Sequence, residues 1–142
     1  MSTEQLDTEE AFRPVPEIEL DVPDLVDRYT AVWNEPDAER RRAAIAALWS
    51  ADAAEVVEEH QWHGRAALEE RVAEAYRTLI AGDGLTADHA GDVLAHHDLV
   101  VFTIRLLDAA GTVTWSARAV LHLGEDGLIR RDYHFTVPTA SR

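Results

Sequence analysis

The chain has 142 residues, contains no cysteine and no lysine, and carries a formal net charge of −14 at pH 7. This length suits one domain that can bury a core without disulfides or a structural metal. The composition excludes thiolate nucleophiles, thiolate metal sites and lysine Schiff bases, and the negative charge argues against nucleic acid and anionic membranes as partners.

The amino-terminal residues form an acidic segment. Residues 1–27 hold nine acidic side chains against one arginine, Arg13. We therefore expect residues 1–21 to form a flexible arm, residues 22–138 to form the domain, and residues 139–142 to form a short tail. The arm lacks the basic start and apolar run of a secretory signal, and no segment has the apolar length of a membrane span, which predicts a cytoplasmic location.

The first half of the domain shows helical spacing of apolar residues in three places. The predicted helices run from Asp24 to Trp33, from Ala38 to Trp49 and from Leu68 to Leu79. Pro23 suits the first turn of the first helix, and Gly82 and Gly84 are suited to end the third. Between the second and third helices, the segment Glu55–Trp62 is short and β-branched, which predicts a strand.

The second half consists of β-rich runs separated by turn residues. These runs are Leu85–Gly91, Leu99–Leu107, Val113–Leu123 and Leu128–Val137. Helices followed by a series of strands are typical of the α+β class rather than of alternating βαβ units.

Three stretches carry a resemblance to the NTF2-like superfamily, and in particular to its SnoaL-like branch, from Leu25 to Val137. They are LVDRYTAVWNEPDAERRRAAIAALWSADA, HGRAALEERVAEAY and EDGLIRRDYHFTVP. The resemblance implies a cone in which three amino-terminal helices pack on a curved, mixed but mostly antiparallel sheet and enclose a pocket. The superfamily includes isomerases, dehydratases, polyketide cyclases, epoxide hydrolases and non-catalytic binding modules, so the fold leaves the function open.

Comparison with the ketosteroid isomerase members implies one site residue, a tyrosine, and shows that the two catalytic aspartates of those enzymes have no counterpart here. The pair Arg28-Tyr29 matches their RY pair, whose tyrosine donates a hydrogen bond to a developing oxyanion. Their two catalytic aspartates correspond here to the neighbourhood of Val57 and to Ala119. The chain therefore lacks that acid pair, although a pocket with Tyr29 as a donor is retained.

Charged residues close the first predicted strand. Glu58, Glu59 and His60 lie at the end where relatives often place an acid or base, so one of them is a candidate for entering the cavity. Alternatively, they form a charged strand edge that discourages pairing with another chain.

The last predicted strand has two different faces. Tyr133 and Phe135 share one face, and Asp132 and His134 share the other. Hydrophobicity alone would bury the aromatic face, whereas the resemblance implies that Asp132 and His134 line the cavity and that the aromatic face lies outside, where related proteins often dimerise. If they face inward, Asp132 raises the basicity of His134 for proton transfer while Tyr29 polarises an oxygen. If they face outward, they are surface residues.

The remaining pocket is predicted to be apolar. Its expected lining residues are Trp33, Trp49, Val57, Phe102, Trp115 and Ala119. The tryptophans could form an aromatic wall for a flat ligand or could fill the core. No metal site is predicted, because the spacing of the histidine pairs is not diagnostic.

The sequence thus favours a cofactor-independent acid–base enzyme of the isomerase, dehydratase (lyase) or cyclase kind, with an epoxide hydrolase as a variant. It would act on a small, mostly apolar oxygenated metabolite in an internal pocket. The alternative is a non-catalytic dimeric module of the same fold that binds a small molecule or a partner. The resemblance also implies a homodimer formed through the outer sheet face.

Overall fold

The computed structural model describes residues 20–138. Almost all of the predicted acidic arm and the whole predicted tail lie outside the described residues. The helices are α1 (Val22–Asn34), α2 (Ala38–Leu48) and α3 (Arg65–Ala75), and α3 continues into a π-helical turn over Tyr76–Gly82. The strands are β1 (Trp49–Val57), β2 (His60–His63), β3 (Thr86–His89), β4 (Leu94–His96), β5 (Leu99–Leu107), β6 (Val113–Leu123) and β7 (Ile129–Val137).

The strands described here form one sheet in the order β2-β1-β7-β6-β5-β3, and β4 pairs with β5 beside β3. β1 and β7 are parallel, whereas the other pairs are antiparallel. The α+β class and the mixed, mostly antiparallel sheet are therefore confirmed. No helix within residues 20–138 has the length and apolarity needed to cross a membrane.

α1 and α2 begin at positions capped by an aspartate side chain. The Asp21 side chain accepts a hydrogen bond from Asp24 N at the start of α1, and Asp37 accepts from Glu39 N and Arg40 N at the start of α2. Such caps satisfy backbone N–H groups that have no partner within the helix. The face of α1 that packs on the sheet is apolar, and it includes Leu25, Val26, Tyr29, Val32 and Trp33. α1 thereby holds Tyr29 against the inner face of the sheet.

Two boundaries differ from the sequence predictions around β1. The predicted strand Glu55–Trp62 is a hairpin of β1 and β2, joined at Glu58 and Glu59. Trp49, predicted to end the second helix, is the first residue of β1. The charged residues after Val57 turn the chain back, and Glu58 adopts a left-handed φ of 55°.

The later strands follow the predictions more closely. β5 and β6 have the predicted bounds, and the predicted lining residues Phe102 and Ala119 are fully buried on them. β4 was not predicted, because it has only three residues, and the run Leu85–Gly91 shortens to β3. The long strands therefore carry a readable alternation, and the short ones do not.

A bulge divides β7 into two frames. Leu123 pairs with Ile129, whereas the preceding residue His122 pairs with Arg131, so β7 has one extra residue at this point. Ile129, Asp132 and His134 are consequently all buried on the inner face, although the spacing from Ile129 to Asp132 is odd. A bulge of this kind redirects side chains locally without ending the strand.

Candidate functional site

Four polar side chains meet on the inner face of the sheet. Glu55 of β1 lies beside Asp132 of β7 in the parallel register, and His134 is the next inward residue of β7. Tyr29 reaches them from α1. Tyr29, Glu55 and Asp132 are completely buried, and His134 is 5% exposed. Three elements therefore converge on one buried polar cluster.

Short contacts connect these side chains. The Tyr29 hydroxyl donates to Asp132 Oδ2 at 2.8 Å and lies 2.7 Å from His134 Nε2. His134 Nε2 also lies 3.1 Å from Asp132 Oδ1. Because the Tyr29 hydroxyl donates its hydrogen to Asp132, the Tyr29 oxygen is free to accept a hydrogen bond from His134 Nε2–H. Tyr29 thus stands between the acid and the imidazole.

A second carboxylate faces the other ring nitrogen. Glu55 Oε2 lies 3.4 Å from His134 Nδ1, which is close enough for an ion pair but long for a hydrogen bond. The other oxygen of Glu55 accepts from Arg71 Nε at 3.1 Å. The imidazole is therefore held between two carboxylates, and a guanidinium on α3 balances one of them.

Burial and charge shift the proton affinities of the cluster. Burial alone would lower the pKa of His134, but attraction to Asp132 and Glu55 outweighs it, and the pKa is raised above its usual value. Burial raises the pKa of the Glu55 carboxyl against the opposing effect of His134. Burial and the neighbouring carboxylates raise the pKa of Tyr29 well above its usual value. The two carboxylates therefore favour the charged form of His134, whereas burial favours the neutral forms of Glu55 and Tyr29.

Glu55, Asp132 and His134 are also residue types that can bind a metal ion. Glu55, Asp132 and His134 each offer an atom within 4.8 Å of the others. However, the two carboxylates lie at opposite ring nitrogens, and an ion bound to one nitrogen lies on that side of the ring only. The arrangement consequently fits proton sharing better than a three-ligand metal site.

Aromatic side chains surround the cluster. The Trp33, Trp49 and Phe102 rings lie 6.2, 5.4 and 5.5 Å from the Tyr29 ring. Trp33 and Trp115 lie 6.4 and 6.5 Å from the His134 ring. Trp115 is half-buried whereas Trp49 and Phe102 are fully buried. The side of the cluster next to Trp115 and His134 is therefore the least sealed.

Two small or apolar residues flank His134 in the sheet. Val57 pairs with His134 across the β1–β7 register, and Ala119 pairs with it across the β6–β7 register. Ala119 is fully buried and Val57 is half-buried. Their lack of polar groups leaves the contacts of His134 to Tyr29, Asp132 and Glu55.

The prediction that Glu58, Glu59 or His60 enters the cavity is wrong. All three are exposed, because they form the turn and the start of β2. The acid on the inner face of the sheet is Glu55, which lies three residues before Glu58. The sequence analysis did not identify Glu55 or Arg71. Glu55 is followed directly by Val56 and Val57, and a strand without regular alternation of polar and apolar residues does not indicate which face points inward. The outer face of β7 presents Tyr133 and Phe135 to solvent, and the homodimer through this face stays a prediction.

The fold matches known structures of the NTF2-like kind. A SnoaL-like family protein from Agrobacterium tumefaciens strain C58, for which an isomerase function has been suggested, has a TM-score of 0.74 and 24% identity, covering 82% of this chain and 97% of that chain. A protein from Sinorhizobium meliloti suggested to be a polyketide cyclase has a TM-score of 0.61 and 17% identity, covering 80% and 95%.

A third structure was solved with a bound small molecule. It is a ketosteroid isomerase-like fold from Catenulispora acidiphila DSM 44928 in complex with trimethylamine, with a TM-score of 0.61 and 17% identity, covering 81% and 86%. No protein-family model and no curated protein sequence matches the chain. At these identities the likeness establishes the fold alone, and the predicted NTF2-like cone is confirmed.

Proposed function

We propose that this chain, with its NTF2-like fold, is a cofactor-independent acid–base enzyme that moves a proton on a small oxygenated metabolite. The reaction would be an isomerisation, a dehydration or a cyclisation. The observation that carries the proposal is His134, which lies between two carboxylates and within 2.7 Å of the Tyr29 hydroxyl. Buried titratable groups whose pKa values are shifted by burial and by neighbouring charges are typical of functional sites.

Each group has a distinct role in the proposed chemistry. His134 is the proton acceptor and donor, because it is the member of the cluster that retains some exposure. Asp132 and Glu55 fix its ring and stabilise the imidazolium that forms. Tyr29 donates to the oxygen on which negative charge develops once a substrate oxygen replaces Asp132 as its acceptor. All proton transfers are then carried out by side chains of this chain.

Proton exchange into a ketone tests this proposal. Cyclohexanone, 2-cyclohexenone and 4-oxopentanoate are incubated in D₂O, and ¹H NMR follows the loss of the protons next to the carbonyl. We expect the wild type to accelerate exchange for at least one probe and the His134→Gln variant to lose about 100-fold or more of that acceleration. His122→Gln is the matched control, since His122 also contacts an aspartate but lies at the surface. Exchange no faster than in buffer, or undiminished in His134→Gln, contradicts the proposal.

The complete burial of Tyr29, Glu55 and Asp132 favours the second candidate, a non-catalytic binding module. In such a module the polar cluster would serve the fold and the ligand would contact the aromatic side chains. The same assay separates the two functions, because a binding module gives tryptophan fluorescence changes with a ligand but no exchange. Binding without exchange would therefore leave the second function standing.

A further inference from the structure

Arg71 has more hydrogen-bond donors than its single partner, Glu55, can accept from. Its Nε donates to Glu55 Oε1, and within residues 20–138 no acceptor is found for its two Nη groups. The Arg71 side chain is 23% exposed. Arg71 therefore presents up to four further N–H donors at the edge of the buried cluster.

Trp33 adds a second donor without an acceptor. Its side chain is buried, with 8% of its surface exposed, and its indole Nε1 has no hydrogen-bond partner. Trp33 lies against both His134 and Arg71. Buried donors are nearly always paired in folded proteins, so an unpaired indole N–H beside a guanidinium calls for an acceptor from outside the chain.

Two tryptophan rings also lie against the guanidinium of Arg71. The guanidinium carbon of Arg71 lies 4.3 Å from the Trp62 ring centroid and 5.4 Å from that of Trp33. Stacking on an indole occupies a face of the planar guanidinium and leaves its edge for acceptors. An edge with paired N–H groups matches the two oxygens of a carboxylate.

We propose that the site binds a small molecule carrying a carboxylate, held by Arg71 Nη and Trp33 Nε1, with its apolar part against the tryptophans. This inference names the substrate class and rests on the proposed function only for the location of the site. The sequence predicted a mostly apolar ligand, and the present proposal adds a carboxylate to it. In a chain of net charge −14, Arg71 is the guanidinium that contacts this cluster, and it can hold such an anion close to His134.

Matched ligands test the preference for a carboxylate. Benzoate and cyclohexanecarboxylate are compared with benzamide and cyclohexanecarboxamide by calorimetry and tryptophan fluorescence. We expect each acid to bind about tenfold to a hundredfold more tightly than its amide, which is the effect of hydrogen bonds to a charged group. Equal binding of acid and amide, or no binding of either acid, overturns the proposal.

Variants then assign the preference to the two donors. Arg71→Gln is combined with Glu55→Gln, so that no buried carboxylate loses its partner, and this double variant is expected to bind acid and amide equally. Asp88→Asn with Arg105→Gln is the matched control, because it removes another arginine–carboxylate pair, joined at 2.8 Å. Trp33→Phe, which keeps an aromatic ring, is expected to weaken acid binding about tenfold. A preference unchanged in both Arg71→Gln/Glu55→Gln and Trp33→Phe contradicts the assignment; if the double variant does not fold, Trp33→Phe decides.

This test and the exchange assay fail separately. Tight binding of carboxylates without proton exchange supports the proposed ligand class and contradicts the proposed enzymatic function. Proton exchange on a neutral ketone, together with equal binding of acids and amides, supports the enzymatic function and contradicts the proposed ligand class.

Discussion

Two histidine–aspartate pairs in this protein have nearly the same nitrogen–oxygen distance and opposite surroundings. His122 Nε2 lies 2.9 Å from Asp98 at the surface, with side chains 45% and 29% exposed. His134 Nε2 lies 3.1 Å from Asp132, and the two side chains are almost completely buried. Distance alone therefore does not distinguish the pairs, and the difference lies in what surrounds them.

Contact with water makes the surface pair weak. Solvent screens the attraction between exposed charges, and such pairs contribute less than about 1 kcal/mol. In the buried pair water is replaced by Tyr29, Glu55 and aromatic rings, so each lost contact leaves a polar group without a partner. The same two residue types therefore form a solvent-screened surface contact in one place and part of a buried polar cluster in the other.

The largest expected effect comes from removing the carboxylate of each pair. We expect Asp132→Ala to lower the free energy of unfolding by about 3–5 kcal/mol, because Tyr29 and His134 both lose a buried partner. Asp98→Ala is the matched surface change and should lower it by less than about 1 kcal/mol. Urea unfolding of both variants measures the difference. Equal losses would mean that burial does not separate the two pairs.

A smaller effect is expected from the Tyr29 hydroxyl. Tyr29→Phe removes the donor to Asp132 Oδ2 while keeping the ring, and it should lower the free energy of unfolding by about 1–3 kcal/mol. The chain has three tyrosines, and spectrophotometric titration of the folded protein should show one that resists ionisation, since the pKa of Tyr29 is raised well above its usual value. The resistant group should be missing in Tyr29→Phe, whereas its persistence would assign it to Tyr76 or Tyr133.

The smallest effect is a slope with pH. The pKa values of His134 and Glu55 are both raised by folding, so the folded protein retains protons that the unfolded chain releases. Their contribution to stability is fully present below the unfolded pKa values and is lost as the pH rises through the folded values. From pH 6.5 upward, the stability difference between wild type and His134→Gln should therefore shrink by up to about 1.4 kcal/mol per pH unit.

The control for this slope is His122→Gln. This replacement should change the free energy of unfolding by less than about 1 kcal/mol, because the contact of His122 is screened by solvent. Parallel curves for wild type and His134→Gln would contradict the coupling of His134 to its two carboxylates. Urea unfolding at each pH gives the required free energies.

Much of the fold was predictable because it depends on repeated patterns. The apolar spacing of α1 and the alternation along β5 and β6 extend over nine residues or more, and their element types are as predicted. Short elements gave no such signal. β4 and the turn at Glu58 depend on pairing with neighbouring strands, and this pairing is not encoded in a local pattern.

The site was predictable only in part for a related reason. Alternation along β7 left its inner face ambiguous, and the resemblance implied the face on which the structure places Asp132 and His134. Glu55 and Arg71 could not be found in this way, since a glutamate in a strand and an arginine in a helix usually face solvent. Their contact joins residues 16 positions apart, and only the packing of α3 on β1 creates it.

The bulge in β7 has a consequence for how this chain tolerates change. Arg130 and Arg131 both face solvent at the bulge, so many side chains should be accepted at either position. The number of residues between Ile129 and Asp132 is constrained instead, because losing one would turn either Ile129 or the pair Asp132 and His134 to the outer face. In this segment the number of residues, more than their identity, keeps Ile129, Asp132 and His134 on the inner face of the sheet.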